Sequence, residues 1–277
     1  MIHFCRNDTT LISVGKPSLL ALQLLNALPD QPSLYDIMDD FPAFYRGISK
    51  IAMRQREQRL AKKVNTVLTS SSKLHRQWVQ HRPDIQLIAN GLDTSVLPPS
   101  RPDFVAAPPF VFGYVGTIAS WFDWEWVLAL SQARPADTIR LIGPNFSDTP
   151  LESLPKNVEV RPPCAHQEAI QAMQHFDVGL IPFQQNPLTA SVDPIKYYEY
   201  RALGKPVLST SFGEMTHRGS EHGVFLTQQS LDVQQQAQRA LAYIPDQNLV
   251  KNFIAANTWA ARFDTIHIPP ERAYGRL

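Results

Sequence analysis

The chain has 277 residues, enough for one large domain or two ordinary ones, each able to bury a core. Hydrophobic residues make up 44 % and charged residues 18 %, a globular composition, and a net charge of +1 gives no overall pull toward nucleic acid. No apolar run approaches the ~18 residues of a membrane span, and the opening MIHFCRNDTT lacks the basic-then-apolar order of a signal peptide. Cys5 and Cys164 form no metal or redox motif; a reducing compartment is the simple reading, and a single disulfide stays open.

Short apolar runs alternate with longer helical patterns. Leu11–Gly15 reads as a strand and Ser18–Leu28 as a helix rich in leucine. SLYDIMDD reads as a strand ending in acids, and Phe44–Lys63 as a very basic helix. TVLTSS is a strand followed by Ser/Thr capping signals, Ser72–Gln80 a helix, and IQLIANG a further strand. Residues 97–109, LPPSRPDFVAAPP, hold five prolines in thirteen positions and read as a linker.

Beyond the linker the alternation restarts. FVFGYVG, TIRLIGP, NVEVRPP, VGLIPF, PVLST and GVFLTQQ read as strands, with helices at Trp121–Ala133, Gln167–Phe176, Leu231–Ala242 and Asn248–Phe263. Strands that alternate with helices argue parallel sheets covered on their faces. The expected organisation is α/β: a first domain over 1–96, the linker, and a second, complete domain over 110–277. The first offers only about four strands, thin for a doubly wound domain.

The stretch DPIKYYEYRALGKPVLST (193–210) opens as a helix and closes as a strand. Asp193 or Ser191 can cap the helix, Pro194 fits its first turn, and Gly204 its end. A helix N-terminus is an anion site, and Lys196 adds a full charge there. Glu199, three residues on, is a two-oxygen acceptor suited to a vicinal diol. Together they suit a nucleoside diphosphate. The competing reading is a surface Lys–Glu pair worth a few tenths of a kcal/mol.

The segment DVGLIPF…DPIKYYEYRALGKPVLST resembles the donor-site signature of GT-B glycosyltransferases, in particular glycosyltransferase family 4 and its relatives. YDIMDDFPAFY, TVLTSSSKL and IQLIANGLDTSVL resemble the second half of that family's N-terminal domain. FGYVGTIASWFDWEWV resembles the start of its C-terminal domain, and NTWAARFDTI its final helix. The resemblance implies two Rossmann-like parallel-sheet domains, the N-terminal one truncated. It implies hexosyltransferase-type transfer, with retention, from a nucleotide-sugar donor to a saccharide or lipid-linked acceptor in surface polysaccharide biosynthesis. No metal and no separate cofactor is implied. Glu199 matches the second acid of the family's E-x7-E motif and would hold the donor ribose. Lys196 would reach the diphosphate, helped by backbone N–H groups near Ser191 and Val192. Gly116 and Thr117 would line the phosphate cleft, and His166 lies where the family often contacts the base, a helix start being the other reading.

The first acid of E-x7-E falls on Ser191, which is not acidic, so a sugar contact from Asp193 is the alternative. Because the first domain looks half complete, the rival expectation is a non-catalytic nucleotide-sugar-binding subunit or fragment, and self-association or a partner chain through 1–96. Asp39 and Asp40 end a strand and could orient an acceptor hydroxyl, or cap the turn at Phe41-Pro42. Trp121 could stack near the donor or pack on its helix. Seven basic residues and one acid between Arg46 and Lys63, with Phe41, Phe44, Tyr45, Ile48 and Ile51 interleaved, read either as a peripheral membrane contact or as a solvated helix face. The expected location is cytoplasmic, at or near the inner face of the membrane. Nucleic acid is not an expected partner.

Overall fold

The computed structural model describes residues 10–98, 107–149, 151–228 and 232–267. Residues 99–106 of the expected linker, and Cys5, lie outside the described residues. The chain divides into two compact units, one of Met1–Ala89, Ala190–Asp193 and Arg262–Leu277, the other of Asn90–Thr189 and Pro194–Ala261.

In the first unit the order is β1 (Ile12–Val14), α1 (Leu19–Ala27), β2 (Ser33–Ile37), a 3-10 turn (Phe41–Phe44), α2 (Gly47–Lys63), β3 (Thr66–Thr69), α3 (Ser72–Trp78) and β4 (Gln86–Leu87). The four strands form one parallel sheet in the order β1-β2-β3-β4. Serines start two of the helices: Ser18 Oγ accepts from Ala21 N at 3.0 Å and Ser71 Oγ from Leu74 N at 3.4 Å. Tyr35, Ile37, Leu60, Val67 and Leu74 fill the core.

Two sequence expectations change here. The helix expected from Phe44 is interrupted, because Tyr45 and Arg46 are extended and Gly47 takes φ 56. The IQLIANG strand shrinks to Gln86–Leu87, an edge strand with β3 as its one partner. Gln86 is also tied to the C-terminal segment: its Nε2 donates to His267 O at 2.7 Å and its Oε1 accepts from His267 N at 2.8 Å.

The second unit carries β5 (Val111–Val115), α4 (Trp124–Ala133), β6 (Thr138–Ile142), β7 (Val158–Arg161), α5 (His166–Gln174), β8 (Val178–Ile181), α6 (Ile195–Ala202), β9 (Val207–Thr210), β10 (Val224–Thr227), α7 (Val233–Leu241) and α8 (Gln247–Ala256). A last helix, α9, spans Trp259–Phe263. The single helix expected over 248–263 is thus two: Asn257 Nδ2 donates back to Phe253 O at 2.7 Å, and Thr258 Oγ1 accepts from Ala261 N at 3.0 Å, ending one helix and starting the next. Similarly, α4 begins at Trp124 because Asp123 Oδ1 accepts from Trp126 N at 2.9 Å.

The six strands are parallel in the order β10-β9-β8-β5-β6-β7. The chain starts in the middle with β5, winds outward through β6 and β7, then returns to lay β8, β9 and β10 on the other side. Connections leaving β5 and β8 therefore diverge, and a crevice opens outside the carboxyl ends of these two neighbours. Open α/β sheets bind ligands at this switch point.

Candidate functional site

Gly116 follows β5 and Gly143 follows β6, so both stand at the carboxyl edge of the six-stranded sheet. Their backbones are in close contact. A Cβ at Gly143, whose φ is 145, would meet the Gly116 carbonyl oxygen at 2.1 Å, and one at Gly116 would meet Tyr114 Oη at 2.6 Å. The Tyr114 hydroxyl donates to Thr117 O at 2.9 Å and so fixes the turn from below. Gly116 and Thr117 themselves are half-buried. Neither glycine position has room for a side chain, so the backbone itself forms this lip.

α6 is placed against the same strand. The Tyr200 hydroxyl accepts from Val115 N and donates to Gly113 O, both at 3.2 Å, and the ring is fully buried. One turn earlier on α6, Lys196 Nζ lies 2.5 Å from Glu199 Oε2. The other carboxylate oxygen, Oε1, is 2.9 Å from His166 Nε2, at the start of α5. Glu199 is nearly buried, with 5 % of its side chain exposed, whereas Lys196 and His166 keep 24 % and 50 %. A buried carboxylate is costly unless it is paired and bonded, and these two groups satisfy it. Lys196 and Glu199 are therefore not a solvated surface pair.

The capping expected of α6 is not what forms. Pro194 occupies the cap position, and no side chain caps the helix. Ser191 and Asp193 are both buried, and Val192 is half-buried. The three lie in the segment Ala190–Asp193, which belongs to the first unit.

In the first unit, Asp39 follows the carboxyl end of β2. Burial and the neighbouring Asp40 push its pKa up to about 6. Glu57 on α2 is buried, accepts from the Tyr35 hydroxyl at 2.9 Å, and is pushed up to about 7, chiefly by burial. Among the described residues, no three His, Cys, Asp or Glu side chains gather as a metal ion would need. Among them, too, no helix is long and apolar enough to cross a membrane.

Tyr114, Gly143 and Tyr200 were not anticipated. Gly143 could have been found, since a glycine directly after a strand in TIRLIGP sits where such sheets bind ligands. Tyr200 gives no sequence signal, because its partners lie 85 and 87 positions away. Trp121 is half-buried ahead of α4; of its neighbours, Phe122 packs on Tyr114 and Trp124, with ring centroids 5.1 and 4.9 Å apart.

No family model matches the chain. TuaH of Bacillus subtilis (strain 168), named as a glycosyltransferase of teichuronic acid biosynthesis, is 24 % identical over 198 residues, covering 64 % of this chain. The chain spans about half the length of that relative, 50 %. Among solved structures, a sucrose-phosphate synthase from Thermosynechococcus elongatus superposes with a TM-score of 0.70 at 16 % identity, over 91 % of this chain and 70 % of that one. HepE of Anabaena, solved in complex with UDP-glucose, gives 0.67 at 18 % identity, over 96 % and 77 %. None of these likenesses singles out family 4. At the level they reach, the chain has the GT-B fold of these structures and is similar in sequence to one curated glycosyltransferase.

Proposed function

We propose that this protein transfers a hexosyl group, with retention, from a nucleotide-sugar donor to a saccharide or lipid-linked acceptor in surface polysaccharide biosynthesis. The observation that carries the reading is the Lys196–Glu199–His166 group, formed where α5 and α6 begin, in the same unit as the glycine lip after β5 and β6. The TuaH and HepE likenesses support it, the first through its assignment to teichuronic acid biosynthesis and the second through its bound UDP-glucose.

The donor diphosphate lies at the amino end of α6. There the helix dipole and the Lys196 ammonium stabilise the negative charge that grows on the departing diphosphate. Lys196 has three N–H donors, so it can hold Glu199 and a phosphate oxygen together. Glu199 has lone pairs left for the ribose hydroxyls after His166 and Lys196 are bonded. Gly116 and Thr117 let backbone come close to the phosphates, and Asp39 orients the acceptor hydroxyl. Each role follows from the chemistry these side chains offer.

The test is transfer or hydrolysis by the purified chain with UDP-sugars, followed by release of the nucleoside diphosphate. A second reading, a nucleotide-sugar-binding subunit without its own chemistry, is favoured by Ser191, which stands where the first acid of E-x7-E belongs. Tight UDP binding without turnover of any donor supports that reading. The absence of both binding and turnover overturns the two together.

A further inference from the structure

We propose that the 3-10 turn Phe41–Phe44 and the amino-terminal half of α2 form a contact for a membrane surface rich in anionic lipid. The contact follows directly from how α2 is set on its unit. Its inner face is Met53, Leu60 and Ala61, with Glu57 bonded to Tyr35 among them. Everything apolar on the other side is left in water. Ile48 is 85 % exposed, Ile51, one turn on, is 59 % exposed, and Phe44, just before the helix, is 49 % exposed. A lone exposed isoleucine is ordinary on a protein surface. Three large apolar side chains within eight positions, at one end of one helix, are not explained that way.

Charge identifies the occupant. Arg46, Lys50, Arg54, Arg56, Arg59, Lys62 and Lys63 line this segment. Among the described residues no carboxylate forms an ion pair with any of them. The one acid of the helix, Glu57, is buried. Lys62 and Lys63 are accounted for by the carboxyl end of the helix dipole. Arg46 and Lys50 stand at the opposite end, where the dipole disfavours a cation, so the helix itself does not account for their placement. Exposed apolar side chains on a helix that carries this excess of cations fit the boundary between acyl chains and anionic headgroups. A second copy of the same face would bring like charges together, and isoleucines offer nucleic-acid bases no stacking platform.

The position also suits the molecule. α2 leaves the carboxyl end of β2, the edge at which parallel α/β sheets take ligands. A lipid surface held there would bring a lipid-linked acceptor to that edge. Membrane binding is nevertheless independent of the transfer reading, because it is measured with no donor present.

The experiment is co-sedimentation of the whole chain with vesicles of phosphatidylcholine alone, or with phosphatidylglycerol as about one third of the lipid. Binding is expected on the anionic vesicles at about 0.05 M salt and lost at about 0.5 M, as screening shortens. Ile48→Ser/Ile51→Ser should abolish it. Lys50→Glu/Arg54→Glu should weaken it at least about twenty-five-fold, taking about five-fold per cation lost. Arg239→Glu/Lys251→Glu, in the other unit, should leave it unchanged. Circular dichroism checks that every variant keeps its fold. The proposal is overturned by no binding at low salt, by equal binding to neutral vesicles, or by variants that bind like the parent. It is also overturned, in favour of a second copy, if lipid-free self-association is what Ile48→Ser/Ile51→Ser abolishes.

Discussion

His166 stands 33 positions before Glu199 in the chain, and its Nε2 lies 2.9 Å from Glu199 Oε1. The pair joins the first residue of α5 to the middle of α6 and holds one carboxylate oxygen in place while Lys196 holds the other. If Glu199 receives the ribose, His166 positions it without touching the phosphates. His166→Ala should weaken nucleoside diphosphate binding about two- to tenfold, the range of one hydrogen bond. His166→Gln keeps a donor at similar reach and should recover part of the loss. Calorimetry with UDP measures both, and equal losses in the two variants would remove the positioning role.

Lys196→Ala deletes a charge-assisted contact to the diphosphate, worth roughly 1.5–3 kcal/mol. The expected result is a tenfold to hundredfold loss of UDP affinity. The same variant leaves Glu199 with one partner fewer, so its melting temperature is recorded alongside. Unchanged affinity in folded protein would move the diphosphate away from α6.

Glu199→Gln keeps the shape of the side chain and loses the strong acceptor. Ribonucleotides should suffer more than their 2′-deoxy analogues, because the diol is what the carboxylate is proposed to hold. A loss of the same size for both sugars would leave Glu199 with the structural task of pairing Lys196 and His166.

Gly143→Ala tests the lip. The new methyl would overlap the Gly116 carbonyl oxygen, on a backbone already at φ 145. A cost of about 1–3 kcal/mol is expected, with a fall of several degrees in melting temperature. Nucleotide affinity should fall too, since Gly116 must move. A variant as stable as the parent would show that β5 and β6 part more easily than their contact suggests.

Glu57 gives a pH dependence. Its pKa in the fold is about 7, above the ordinary 4.5, so the folded chain holds a proton that the unfolded chain releases. Stability should therefore fall as pH rises from about 4.5 to about 7 and level off above, by at most about 3 kcal/mol. Asp39, raised from 3.8 to about 6, acts with the same sign in a lower window. Denaturant unfolding across this range should show the decline, and Glu57→Gln should flatten its upper part. A stability that instead rises between pH 5 and 7 would contradict the burial argument.

Much of this protein was legible in the sequence. The alternation of short apolar runs with helical patterns set the parallel α/β class, because hydrophobic periodicity reports local structure directly. Ser18 and the serines after TVLT marked helix starts, since capping is a contact between near neighbours, whereas the helix expected from Trp121 starts at Trp124 behind its Asp123 cap. Lys196 and Glu199, three apart on one helix, belong to the same local category. Some local contacts were still misassigned, because several nearby residues can serve the same cap or break. Pro194 took the cap position that Asp193 or Ser191 was expected to serve, and the carboxyl-terminal helix broke at Asn257.

Tertiary structure alone decided the rest. The order β10-β9-β8-β5-β6-β7 puts β5 beside β8, although 62 residues separate their ends, and so creates the switch point. The Gly116–Gly143 contact, the Tyr200 anchor on β5 and the His166–Glu199 bond all join residues at least 27 positions apart. Hydrophobic patterning states which face of an element is buried, not which element covers it. That choice is made when strands pair and helices dock, and it brought a lysine, a glutamate and a histidine together.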